Sequence, residues 1–146
     1  MNSRAFTVVS CVVVSLVLPV ASHGEERSAW LSAAVDAEGV RHRGSEYVGT
    51  APWMNDVVHT VTPEYPFSER AQHHKGSGLL RVSLDLRTGS VTRVALIRST
   101  GFAALDNSAL AAFAKWRWKP GKWKEIDVPI TFTRGPWGMS IGSRHV

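Results

Sequence analysis

Cysteine is almost missing from this chain: Cys11 is the only one in 146 residues. An internal disulfide framework is therefore excluded, as is any metal site made of several thiolates. Acid is in the minority, with 12 Asp and Glu against 17 Lys and Arg. There is no internal repeat and no proline-rich stretch, so a polyproline-type spacer is excluded. The length leaves no room for a two-domain enzyme of ordinary size and suits one compact domain with short extensions. The basic excess invites a nucleic-acid partner, because clustered positive charge releases counterions from phosphate. The N-terminus removes that invitation.

Met1-Asn2-Ser3-Arg4 carries one positive charge and no acid, and Ala5 to Ala21 is uncharged, with Val8, Val9, Val12, Val13, Val14, Leu16, Val17 and Leu18 as an apolar block. Pro19 interrupts it, and small residues lead on to Glu25-Glu26. This is the order of a secretory signal peptide, cleaved after Ser22 or Gly24. Retention as an N-terminal anchor is the alternative, although a membrane span wants about 20 unbroken apolar residues. Val8-Val9-Ser10-Cys11 resembles a lipoprotein box, but the strongest apolar stretch comes after Cys11 instead of before it. Either way the domain is exported, to the periplasm or to an inner-membrane anchor facing it, where no nucleic acid is available. The remaining positive charge suits a solvated surface or attraction to anionic lipid or wall carboxylates.

Residues 1–24 are thus expected to be leader or anchor, 25–62 a poorly defined extension, 63–133 the folded domain and 134–146 a loosely ordered tail. In the extension, Ser28 to Val35 suits one or two helical turns, and Gly39, Gly44 and Gly49 interrupt. Trp53, Val57, Val58 and Val61 suggest a short segment packing onto the folded domain. From Tyr65-Pro66 a short helix is expected, with Pro66 in its first turn and Gly76 stopping it. Leu80, Val82, Leu84 and Leu86 alternate with polar residues as a strand. Arg87 to Ser90 makes a turn, and Val91 to Ser99 returns antiparallel with a bulge near Arg93. Leu105, Ala109, Ala112, Phe113 and Trp116 recur at helical spacing up to Pro120-Gly121. Ile126, Val128, Ile130 and Phe132 form a third strand, which Pro129 should confine to an edge or a bulge. The fold class is α+β: a small three-stranded antiparallel sheet with two helices on one face.

In order and spacing, these landmarks resemble the C-terminal domain of TonB and its relatives. The pattern runs from Pro63-Glu64-Tyr65-Pro66 through Gly76-Ser77-Gly78, Thr88-Gly89-Ser90-Val91 and Ser99-Thr100-Gly101. It ends with Leu105-Asp106, Trp116 to Gly121 and Val128-Pro129-Ile130-Thr131-Phe132. The resemblance implies a domain that captures an extended peptide of an outer-membrane transporter as an added strand. Main-chain hydrogen bonds would give affinity and side-chain pockets selectivity. It implies a docking edge on the third strand, with Ile126, Asp127, Val128, Ile130, Thr131 and Phe132, and a contact near Tyr65 and Pro66. Inner-membrane motor proteins, peptidoglycan and a second copy of the chain are the other partners it admits. The chain departs from the family's full transducers in lacking a Ser–His pair one helical turn apart in the apolar segment and a long spacer.

Beside the resemblance, Trp118 and Trp123 with Lys119, Lys122 and Lys124 offer a basic-aromatic face for glycan or peptide, if the indoles are not core. Tyr65 suits either a core staple or a partner contact. His73 and His74 are adjacent and cannot share one metal from a regular helix, so no metal or other cofactor is expected. Catalysis has no support: no His–acid pair attends Ser99 or Thr100, and Asp85, Asp106 and Asp127 lie on separate elements.

Overall fold

In the computed structural model, residues 32–44, 51–133, 139–141 and 144–145 are described; the leader or anchor expected at 1–24 lies outside them. Period-two alternation builds the centre. Strand β4 (Gly76–Leu84) buries Gly78, Leu80, Val82 and Leu84, while the residues between them stay half-exposed. Gly89, at φ +70°, turns the chain into β5 (Val91–Arg98). Register shifts fall beside Arg93 and beside Leu96, the first where the bulge is expected. Helix α2 (Ala103–Phe113) buries Leu105, Ala109, Ala112 and Phe113, in one core with Leu80, Val82, Ile126, Val128, Ile130 and Phe132. Helix α1 (Phe67–Ala71) is shorter than the sequence suggests. Pro66 stands before its first residue at ψ 140°, and His73 takes the left-handed backbone at φ 59°, leaving Gly76 free to open β4.

The α+β class stands, but the sheet is larger than three strands. The expected trio is present as β7–β4–β5, where β7 is Trp123–Phe132. Beyond β7 come β1 (Ala33–Asp36) and β2 (Arg41–Arg43), giving the order β2-β1-β7-β4-β5. Two further strands, β8 (Met139–Ile141) and β9 (Arg144–His145), continue from the other end of β7. Every pairing is antiparallel. Residues 33–36 form a strand where the sequence suggests helical turns. Pairing with β7, some 90 positions away, overrides the helix propensity of Ala33-Ala34 and buries both alanines. A second, two-stranded sheet joins β3 (Val57–His59) to β6 (Arg117–Trp118). It brings Trp53 edge-on to Trp118, with centroids 6.1 Å apart, and both rings are fully buried.

Pro129 does not mark an edge, contrary to the expectation from sequence. Strand β7 is interior: it pairs with β4 along one side and with β1 and β8 along the other. The proline is tolerated because β1 pairs as far as Asp127 and β8 begins at Ile130. Pro129 therefore sits in a gap between two short partners, where a missing donor costs no ladder bond.

Candidate functional site

Strand β7 carries most of the residues singled out from the sequence, and alternation divides them. Ile126, Val128, Ile130 and Phe132 point into the core with at most 1% of their surface exposed. They cannot themselves touch a partner; any contribution they make to docking is through the backbone. Asp127 and Thr131 belong to the opposite face. Thr131 shares a 2.9 Å hydrogen bond with Ser77 on β4. Asp127 is 4% exposed, and two arginines satisfy its carboxylate. Arg81 donates from Nε and Nη2 at 2.8 and 3.1 Å, and Arg41 donates from Nη2 at 2.7 Å. This fork ties β2 to β4 across two intervening strands. Hydrogen bonding to Asp127, with its charge and that of Glu125, raises the Arg81 pKa above the ordinary guanidinium value.

Tyr65 and Pro66 lie just ahead of α1, beside the C-terminal end of β7. The Tyr65 ring packs edge-on against Phe132 at 5.5 Å, and its hydroxyl donates to the His74 carbonyl. Tyr65 therefore staples the α1 segment to the end of β7, and Pro66 is half-exposed beside it. His74 accounts for its own chemistry by pairing with Glu69 at 2.7 Å and stacking on Phe102 at 4.1 Å.

The basic-aromatic face does not form. Trp118 and Trp123 are 1% and 3% exposed, and Asp56, which sequence reasoning passed over, gathers the rest. Its carboxylate accepts from Trp123 Nε1 at 3.0 Å and pairs with Lys122 at 2.7 Å and Lys119 at 3.7 Å. Burial pushes the Asp56 pKa up, but the bonds from Lys122 and Trp123 and the two lysine charges outweigh it and hold the group below the ordinary carboxylate range. Ser99 and Thr100 are likewise structural: both hydroxyls donate to Asp106, at 2.5 and 2.8 Å, fastening the turn to the start of α2. Among the described residues no three His, Cys, Asp or Glu converge as metal ligands.

An antiparallel sheet with a buried long strand, a Tyr-Pro segment stapled to its end and one helix across it is the geometry to set beside known proteins. The family described as Gram-negative bacterial TonB protein C-terminal matches residues 61–135. The chain belongs to this family. Protein tonB2 of Pseudomonas aeruginosa is 33% identical over 81 residues, covering 51% of this chain and 30% of that protein. Protein TonB of Neisseria meningitidis serogroup C is 31% identical over 70 residues, covering 48% of this chain and 25% of that protein. The chain thus spans less than a third of the length of these TonB relatives. No solved structure matches it. The TonB-type region contributes β4, β5, α2 and β7, whereas β1 and β2 lie upstream of residue 61. No helix among the described residues is long and apolar enough to cross a membrane.

Proposed function

We propose that this chain is an exported, periplasm-facing binding module, not a catalyst, that takes part in TonB-dependent transport across the outer membrane. Its ligand is an extended peptide segment of an outer-membrane transporter, added as a strand to the outer side of β7 from Val128 to Phe132, where it takes the place of β8 and abuts β1 at Ile126 and Asp127. Membership of the family carries this reading. The pairing of β7 supports its detail: the outer side near Phe132 is held by β8 through only the pairs Ile130–Ile141, Thr131–Ser140 and Phe132–Met139. So short a ladder is easily exchanged for a longer incoming strand. Tyr65 and Pro66, stapled at the same end, form the wall beside the entering peptide. The burial of Trp118 and Trp123 removes the stacking surface that a glycan-binding reading needs.

The test is a titration of the chain with peptides copied from the periplasmic N-terminal segments of outer-membrane transporters. Binding should slow amide exchange along Val128–Phe132 and release the β8 amides, leaving the β1 pairing at Ile126 and Asp127 in place. Binding that leaves β7 unchanged, or no binding by any such peptide, contradicts the proposal.

A further inference from the structure

Strand β5 presents the longest bare edge of the sheet among the described residues. The other outermost strands, β2 and β9, span three and two residues, whereas β5 spans eight. Such an edge offers unpaired N–H and C=O groups to any extended chain. Two of its apolar side chains are open to solvent, Leu96 at 39% and Ile97 at 49% exposure. Thr92, Arg93 and Arg98 are exposed with them.

The register with β4 sorts these side chains by face. Val94 lies opposite Val82 and Leu96 opposite Leu80, so both stand on the side of the core and α2. Arg93 lies opposite Ser83, Ala95 opposite Arg81 and Arg98 opposite Leu79, on the face turned away from the helix. The bulges fall outside the stretch 93–96, which pairs regularly. The edge is therefore apolar on one face and cationic on the other, along a backbone that no other strand pairs among the described residues.

We propose that the β5 edge docks an extended acidic segment of another protein. That segment carries apolar residues at alternate positions, beside Val94 and Leu96, and carboxylates between them, beside Arg93 and Arg98. Main-chain bonds supply the affinity and the carboxylates the selection. A second copy of this chain fits poorly: antiparallel pairing about Ala95 sets Arg93 of each copy across from the other's Ile97–Arg98 bulge. Like charges then meet at both ends. The site is separate from the outer side of β7, because β4 lies between the two strands.

The test uses the full chain and two short capped peptides, one alternating valine with glutamate and the other valine with lysine. The glutamate peptide should slow amide exchange within Val91–Arg98 and bind roughly tenfold more tightly than the lysine peptide. Raised salt should narrow that difference. The substitution Arg93→Glu, at an exposed position, should abolish or reverse the preference while leaving the melting temperature nearly unchanged. Equal binding of both peptides, protection appearing on β7 instead of β5, or no protection at all would each overturn the proposal. The first and third outcomes leave docking at β7 untouched, so the two ideas fail separately.

Discussion

Asp56 shows how one carboxylate can organise three side chains. It holds Lys119, Lys122 and the Trp123 indole against the turn that precedes β3. Its lowered pKa sets the sign of a pH effect: the stability it confers is complete above the ordinary carboxylate value of about 4 and disappears as pH falls through the lowered one. Asp36, lowered chiefly by its hydrogen bond with His42, acts in the same direction. Asp56→Asn is expected to cost about 1–3 kcal/mol at neutral pH and to flatten the fall of the urea midpoint in acid. An unchanged acid limb would exclude Asp56 as its source. The tryptophans give a second comparison. Trp116 Nε1 donates to the Val61 carbonyl at 2.7 Å, whereas the buried Trp53 and Trp118 N–H groups have no acceptor among the described residues. Trp116→Phe should therefore cost about 1 kcal/mol more than Trp118→Phe in chemical denaturation, because only the former strands a carbonyl.

Among the elements, the β4–β5 hairpin and α2 were legible because their signals are local. Leu80, Val82 and Leu84 alternate within a few residues of the glycine turn that reverses the chain. Strands β1 and β6 were not legible: a short Ala-Ala-Val-Asp run carries no period, and its partner lies across almost the whole domain. Pro129 misled for a related reason. A proline forbids one ladder bond, but nothing local says that two short strands meet on either side of it. The candidate site was legible in its strand, while the arginines that hold Asp127 and the cover provided by β8 came only with the fold. The hairpin turn also explains a glycine: a Cβ on Gly89 would lie 1.9 Å from the Trp118 carbonyl oxygen, at φ +70°. Gly89→Ala should cost more than about 2 kcal/mol because β6 must move away. Gly121→Ala, at φ +85° with nothing within 4 Å, should cost only backbone strain of about 1–2 kcal/mol. Thermal melts of the two variants test the ranking.

At the level of the whole molecule, segments that flank the central sheet cover the outer side of its longest strand. β1 and β2 cover the half of β7 up to Asp127, and β8 with β9 cover the half from Ile130. A truncated chain of residues 45–133 would leave that side bare, and exposed strand edges pair with one another. Sedimentation should show it self-associating at concentrations where the full chain does not; a monomeric truncated chain would mean that the flanks do not protect the edge. Docking at β7 requires a transporter peptide to take the place of β8. The most direct test locks β8 in place with Thr131→Cys and Ser140→Cys, a directly opposed pair, in a Cys11→Ser background. Affinity for a transporter N-terminal peptide is then measured in the oxidised and reduced forms. The prediction is binding when reduced and loss of at least tenfold when the disulfide is closed; equal binding in both forms would contradict it.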